Sequence, residues 1–230
     1  MSKTELTTVP LKKGAYDKPE RTNPNIPDIK YDKVDSACES SRIGNDGNVY
    51  IPEERMPELL DKRKKEARYI VDQKISNDDK VTINNQRMIN SSGVVGYMDR
   101  FSHQTRDAAQ ADLYRYGRDS LTRIGDSDQA EAQRRKMDSL MDKELPKLRG
   151  QRGVDYDEIT GEPLVRGAAF HHKNNKAIHN NPLDAIDPDQ GINVNLETHH
   201  EIHRRGIMDE EQLEAQKEDI RKTLIRNKNK

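Results

Sequence analysis

The chain is poor in the residues from which large hydrophobic cores are built. Only 31% of its 230 residues are hydrophobic and 4% are aromatic, tryptophan is absent, and 35% are charged. A chain this polar does not bury its whole length in one core, so we expect extended helices or disorder over much of it. No apolar run approaches the roughly 20 residues that a membrane-spanning helix needs, and we expect no membrane partner.

Cysteine and net charge are scarce as well. Cys38 is the only cysteine, which excludes an intramolecular disulfide and a zinc site made of several thiolates. The formal net charge of -1 provides no global basic field for nucleic acid, so any such contact must be local. The first residues, Met1–Glu5, lack the apolar segment of a signal peptide, and we expect a soluble, cytoplasmic protein.

Histidine, by contrast, is concentrated in one stretch. All but one of the 7 histidines lie between residues 170 and 205. Imidazole is the commonest transition-metal ligand and titrates near neutral pH, so this crowding indicates a metal site, a proton relay, or both. His179, in a polar loop of this stretch, is expected to be structural or exposed. The exception, His103, is isolated among polar residues and is expected at the surface.

The spacing of these histidines predicts two groups that can meet at one ion. His199 and His203 are four residues apart in a segment of helical composition, so they share one helix face. His171 and His172 follow a short apolar run typical of a strand, where neighbouring side chains point to opposite faces. One of this pair can therefore join the helical histidines while the other addresses a different part of the site. His200, about 100° round the helix from His199, is expected to be exposed or to contact DNA.

This arrangement resembles the HNH endonucleases, the ββα-metal superfamily that includes the colicin DNases. The family has a His-His or Asp-His pair, an Asn-Gly-Ile or Asn-Gly-Val turn and a His-x-x-x-His helix, which here correspond to His171-His172, Gln190-Gly191-Ile192 and His199-x-x-x-His203. Two acidic residues before the turn and the end of the helix also match, at Asp187, Asp189, Ile202 and Arg204. The resemblance covers about residues 155 to 208, and three elements in the family's order make it specific.

Two features depart from the family pattern. The family's Asn is replaced by Gln190, and Asn193 and Asn195 are close enough to take that role if the register slips. An amide here normally tethers the loop that aims the histidine of the first strand. Many relatives also carry two Cys-x-x-Cys pairs around the motif, whereas residues 157–164 contain no thiol. The resemblance therefore implies a single catalytic metal and a domain held together by packing.

The resemblance also implies a reaction, which is metal-assisted hydrolysis of phosphodiester bonds. It assigns His171 and His199 as metal ligands, with His203 either completing the metal site or contacting the phosphate. His172 is the expected general base, steered by a backbone carbonyl near Gln190.

Basic side chains near the motif are expected to bind the phosphate. Arg166 lies in the region where colicin-type relatives carry a phosphate-clamping arginine, and Arg204 is a second candidate. The expected partner is double-stranded DNA, bound with low sequence specificity. Several imidazoles without an obvious carboxylate favour Zn²⁺ or Ni²⁺, with Mg²⁺ or Mn²⁺ still able to support turnover.

The biological role stays open at this point. Family members include phage-encoded and homing nucleases, packaging accessories, restriction enzymes and toxins. A toxin delivered into another cell by a secretion machine or a particle would need an inhibitor protein. A non-catalytic helical scaffold with a structural metal is the alternative of a different class, and Gln190 is the feature that favours it.

The predicted fold class is α+β, with three regions. Residues 1–51 are rich in proline and polar residues and are expected to be a disordered or extended arm. Residues 52–148 are expected to form a polar helical region, with helices near 52–75, 104–123 and 127–148 and a linker over 76–103 with one short strand at most. Their narrow apolar stripes favour a homodimer or a larger assembly. Residues 149–230 are expected to form the HNH domain, closed by a helix over 209–227.

Overall fold

The computed structural model describes residues 5–174 and 182–228, and His179 lies outside the described residues. The fold class is α+β, as the sequence predicts. The chain divides into two compact units, one formed by Leu6–Met137 and the other centred on Asp138–Lys230. None of the described helices is long and apolar enough to cross a membrane.

A five-stranded antiparallel sheet lies in the first unit. Its strands are Thr8–Pro10 (β1), Arg42–Gly44 (β2), Val49–Pro52 (β3), Lys80–Ile83 (β4) and Gln86–Asn90 (β5). They are arranged in the order β1-β2-β3-β5-β4. Asn84 and Asn85 have φ angles of 51° and 59° and form the tight turn between β4 and β5. Asparagine tolerates this left-handed backbone, so these two polar residues favour a hairpin here.

Helices accompany the sheet. They are Asp28–Glu39 (α1), Met56–Leu59 (α2), Lys64–Lys74 (α3), Ser91–Gln104 (α4), Ala108–Gly125 (α5) and Asp128–Glu144 (α6). The Asn90 side chain accepts a hydrogen bond from the backbone N–H of Ser92, and Asp107 accepts one from Gln110. These two side chains cap the starts of α4 and α5, whose first N–H groups have no partner within the helix.

In the segment 1–51, expected to be a disordered or extended arm, the described residues instead form α1, two strands and most of a third. Val34, Ile43 and Ile51 are fully buried in the main core of this unit. The strands are only three or four residues long, too short for an alternating pattern to stand out in the sequence. These strands are ordered because they pack against segments that are distant along the chain.

A buried carboxylate holds the proline-rich leader against this core. Asp35 is 3% exposed, and it accepts hydrogen bonds from the Tyr116 hydroxyl at 2.7 Å and from Arg21 at 3.0 Å. Lys18 lies 3.2 Å from the same carboxylate. A buried charge is stable only when it is paired and hydrogen-bonded, so this cluster fixes residues of the leader beside α1 and α5.

The region 76–103 also differs from the sequence prediction of a linker, because it contains β4, β5 and α4. The asparagines of this region are polar, as in a linker, but in the structure they form a turn and a helix cap. The single helix predicted over 52–75 is interrupted at Asp61, whose φ is 48°. The helices predicted near 104–123 and 127–148 correspond to α5 and α6.

The second unit contains a strand pair followed by helices. Its elements are Leu148–Arg152 (α7), Ala169–His172 (β6), Gly191–Val194 (β7), Leu196–Arg204 (α8) and Glu210–Lys228 (α9). Strands β6 and β7 are antiparallel, with His172 opposite Gly191. A small core joins β7, α8 and α9 through Val194, Ile202 and Ile220, all of which are fully buried. The helix α9 corresponds to the closing helix predicted over 209–227.

The buried position of Cys38 gives a test of the ordered N-terminal segment. This thiol is fully buried, and burial raises its pKa. Because thiol reagents attack the accessible thiolate, Cys38 should stay unreactive in the native protein and should react once denaturant unfolds the first unit. Absorbance after addition of a disulfide reagent measures this. Immediate reaction in native buffer would instead indicate that residues around Cys38 form a flexible arm.

Candidate metal centre

Strand β6 directs its two histidines to opposite faces. His171 is 7% exposed, whereas His172 is half-buried and shares its face with Phe170, whose ring lies 5.0 Å from the His172 ring, edge to face. A Cβ added to Gly191 on the neighbouring strand would overlap the Phe170 ring and the His171 carbonyl. Only glycine fits there, and β7 can therefore pair closely with the strand that carries both histidines.

Three imidazoles from β6 and α8 converge on one point. The His171 ring centroid lies 5.4 Å from that of His199 and 5.3 Å from that of His203. The Nε2 atoms of His199 and His203 are 3.2 Å apart, as expected for side chains one helical turn apart. One ring nitrogen from each histidine lies within 4.8 Å of the other two. The three histidines could therefore hold a metal ion.

The distances fit a metal ion of ordinary size. Two imidazole nitrogens bound to tetrahedral zinc at about 2.0–2.1 Å are separated by about 3.3 Å, close to the 3.2 Å between His199 and His203. A nitrogen of His171 lies within 4.8 Å of one on each of the other two histidines, so a shared ion would need the nitrogens to approach by about 1.5 Å at most. Among the described residues, no carboxylate belongs to this ligand group.

Burial keeps two histidines of this cluster, His171 and His199, in the form that binds metals. Desolvation, with smaller effects of His199, His203 and His172, lowers the pKa of His171 to about 4. Desolvation, then the nearby His203 and His200 rings, also lowers the pKa of His199. A metal ligand must present an unprotonated nitrogen. Because the pKa values of His171 and His199 are lowered, neither ring has to lose a proton at neutral pH before it binds a metal.

His172, the expected general base, lies on the other face of β6 and is held by a backbone carbonyl. Its Nε2 lies 2.8 Å from the carbonyl oxygen of Ala185, in the 3-10 turn Pro182–Ile186. A carbonyl can only accept, so Nε2 carries the proton in the neutral ring and Nδ1 is the basic nitrogen. The sequence predicts a carbonyl near Gln190, and the observed one is five residues earlier. Gln190 itself accepts a backbone hydrogen bond from Lys173 at 3.0 Å.

The two asparagines considered as substitutes for the family's Asn are both buried. Asn193 donates from Nδ2 to the carbonyls of Arg149 and Val154, at 3.0 and 2.9 Å. Asn195 accepts from the backbone N–H of Val165 at 2.9 Å through its side-chain oxygen. Each amide therefore fastens β7 or the start of α8 to the segment that precedes β6.

A carboxylate joins the turn at residues 157–164 to the start of α8. Asp157 is fully buried, and one of its oxygens accepts from the N–H groups of Ile159 and Thr160, each at 2.9 Å. The other oxygen accepts from the N–H of Asn195 at 2.8 Å. The segment 157–164, which contains no thiol, thus has a hydrogen-bonded carboxylate at its centre. The sequence prediction of a domain held by packing alone missed this role.

A second buried carboxylate anchors α8 from its other side. Glu201 is 6% exposed, and hydrogen bonds from Arg204, assisted by those from Arg205, lower its pKa although burial acts to raise it. Arg205 also donates to the Thr223 hydroxyl of α9 at 3.0 Å. Both Asp157 and Glu201 were missed from the sequence. The Asp-x-x-Thr-Gly pattern at Asp157 is typical of a side-chain-capped turn and could have indicated the first of them.

The remaining predicted site residues lie at the surface. Arg166 is exposed in a turn before β6. Arg204 is paired with Glu201, and its side chain is 70% exposed. His200 is exposed on α8, with its ring 6.5 Å from that of His199. None of these three belongs to the histidine cluster.

Comparison with known proteins gives no relative. No family model, no curated protein and no solved structure matches this chain.

Replacing Asp157 should destabilise the fold around the histidine cluster without changing any of the histidines. In Asp157→Asn, the amide oxygen can still accept from Ile159 and Thr160, but the amide nitrogen would face the N–H of Asn195, a second donor. We expect a loss of roughly 2–3 kcal/mol in the free energy of unfolding, since a hydrogen bond to a charged group is lost in a buried position. Denaturant titration followed by circular dichroism measures it. The exposed Asp155, changed to Asn, is the matched control, and equal stability of the two variants would contradict the role of Asp157.

The lowered pKa of His171 predicts acid sensitivity of the metal-free protein. Between about pH 6.5 and pH 4 the unfolded chain binds a proton at this position and the folded chain does not. The stability contribution is therefore complete above pH 6.5 and is lost as the pH falls toward 4, by up to roughly 3 kcal/mol. Unfolding titrations in a chelator across this range should show a smaller pH dependence for His171→Gln than for wild type. The control His200→Gln should keep the wild-type dependence.

Proposed function

We propose that this chain is a DNA endonuclease of the HNH type, which hydrolyses phosphodiester bonds with one divalent metal ion and a histidine general base. The observation that supports this best is the convergence of His171, His199 and His203 beside a fourth histidine on the opposite face of the same strand. A strand pair followed by a helix carries all four, which is the element order of the ββα motif.

The four histidines would divide the chemistry between them. His171, His199 and His203 would hold the ion, and a bound divalent ion supplies positive charge for the scissile phosphate and the departing sugar oxygen. His172 would take the proton from the attacking water at Nδ1, because Nε2 donates to the Ala185 carbonyl. That hydrogen bond also stabilises the ring after it gains the proton, since Nε2–H becomes a stronger donor.

Two arginines are suited to bind the phosphate. Arg166 is exposed in the turn before β6, and its guanidinium can donate two parallel hydrogen bonds to phosphate oxygens. Arg204 shares its charge with Glu201 on the same helix, so it would offer the phosphate less net positive charge. We therefore assign the main phosphate contact to Arg166 and a supporting one to Arg204, with exposed His200 contacting the DNA backbone.

The three-imidazole ligand group favours a particular class of metal. Imidazole nitrogens bind Zn²⁺ and Ni²⁺ more tightly than Mg²⁺, which prefers oxygen ligands. We propose that a transition metal binds with the higher affinity. Binding and turnover are separate properties, and Mg²⁺ or Mn²⁺ can still support cleavage at higher concentration.

A plasmid assay tests the proposed activity. Supercoiled DNA is incubated with the full chain and Mg²⁺, Mn²⁺, Ni²⁺ or Zn²⁺, and nicked and linear products are measured over time. We expect cleavage with at least one of these metals. His172→Ala should reduce the rate by roughly 100-fold or more, the usual contribution of a general base, while Ni²⁺ or Zn²⁺ affinity measured by calorimetry stays close to that of wild type.

The variants of α8 complete the design. His199→Ala should lose both metal affinity and cleavage, whereas His200→Ala, on the same helix but outside the cluster, should keep metal binding and lose only the contribution of one contact with the DNA backbone. Metal binding by wild type without cleavage under any of the four conditions would favour the structural-metal scaffold instead. Undiminished nicking by His172→Ala would refute its role as the base.

A further inference from the structure

The first unit carries an open cleft that has no role in the proposed nuclease chemistry. It lies between α3 and α4 and has a volume of about 790 Å³, within the range of ordinary ligand-binding clefts. Each helix contributes one face, because lining residues recur three or four positions apart along both, as in Glu66 and Ile70 on α3 and Tyr97 and Phe101 on α4.

Apolar side chains form the floor of the cleft. The rings of Tyr97 and Phe101 are stacked, with centroids 5.4 Å apart and planes inclined by 24°. Ile70 borders them from α3 and is 8% exposed. Tyr69 stands at the edge with 59% of its surface exposed, a high value for a large aromatic residue on a protein surface. Such a floor accepts apolar side chains and leaves polar groups without partners.

The rim of the cleft is basic, although the chain as a whole is nearly neutral. Lys65, Lys74 and Arg100 line it, are exposed, and form no ion pair within the part of the chain that the structure describes. Lys62 also lines the cleft and donates to the neutral side-chain oxygen of Gln110 at 3.2 Å. Glu66 is the one acidic lining residue. An excess of positive charge therefore surrounds an apolar floor.

This combination favours a peptide over a single-stranded nucleic acid. Base stacking requires aromatic faces that project toward the ligand, and Tyr97 is only 4% exposed. Tyr69 is exposed at the edge, and the half-buried Phe101 ring already stacks on Tyr97, so the cleft offers no row of exposed faces. An amphipathic helix, by contrast, places apolar side chains at positions three and four apart into a groove and keeps its charges at the edge.

We propose that the cleft between α3 and α4 binds an acidic amphipathic helix of a partner protein. Aromatic or aliphatic side chains of that helix would enter between Ile70 and Phe101, and its carboxylates would face Lys65, Lys74 and Arg100. The 11 residues of α3 span about 16 Å at 1.5 Å per residue, so the cleft matches two to three turns of a partner helix. The proposal does not depend on the nuclease activity.

A peptide-display selection on the full-length protein tests this proposal. A library of random helical peptides is selected on wild type, after removal of binders to the double variant Tyr69→Ser, Arg100→Glu. Both positions are exposed, so the double variant should fold normally, which circular dichroism verifies. We expect enrichment of peptides that combine Asp or Glu with Leu, Phe or Trp at helical spacing.

Fluorescence anisotropy then measures the enriched peptides one at a time. Arg100→Glu should weaken their binding at least tenfold, and added salt should weaken binding to wild type. Lys64→Glu is the matched control, since Lys64 is an exposed basic residue of α3, the other helix of the cleft, but does not line the cleft, and it should change affinity by less than threefold.

Two results would overturn the proposal. One is a selection that enriches no peptide dependent on Tyr69 and Arg100. The other is tight binding of a labelled oligo(dT) strand that is lost in the double variant, which would show that the cleft takes nucleic acid. Plasmid cleavage by the double variant is measured alongside, so loss of peptide binding with unchanged cleavage separates this surface from the histidine site.

Discussion

The arrangement of the histidine site depends on a carboxylate that contacts none of the histidines. Asp157 accepts hydrogen bonds from three backbone N–H groups, two in its own turn and one at Asn195, where α8 begins. The first residues of a helix have N–H groups without partners inside the helix, and a buried one left unpaired is costly. The carboxylate therefore fixes where α8 starts, and with it the positions of His199 and His203 relative to His171.

The site combines buried and exposed groups, as its proposed chemistry requires. His171 is buried, neutral and fixed by β6, whereas His203 is exposed, so an ion could be approached from solvent on that side. Gly191 permits the close pairing of β6 with β7, and Phe170 fills the space where a Cβ would otherwise be. Successive residues of a strand point to opposite faces. The expected metal ligand His171 and the expected base His172 are therefore adjacent in sequence but lie on different faces of β6.

The first unit shows how a polar chain still forms a core. Short strands and helices each contribute a few apolar residues, and these meet in one cluster that includes Val34, Ile51 and Leu121. Buried carboxylates of this unit are held by hydrogen bonds, as Asp35 is by Arg21 and Tyr116 and Asp46 is by Tyr50 and Asn48. The periodic helices α5 and α6 could be predicted because their pattern is local. The strands of the sheet could not, since each is too short to show a pattern and is stabilised only by its neighbours.

The sequence by itself determined the histidine spacing, and through it the one-turn separation of His199 and His203 and the opposite faces of His171 and His172. These follow from the repeats of a helix and a strand, which are properties of the local backbone. Tertiary structure alone decided that the two pairs meet, that Ala185 supplies the carbonyl for His172, and that Asp157 and Glu201 anchor α8. The contacts of His172 with Ala185 and of Asp157 with Asn195 join residues 13 and 38 positions apart, so no local pattern encodes them. The pair of Glu201 with Arg205 is local, but it anchors α8 because Arg205 also reaches Thr223 of α9.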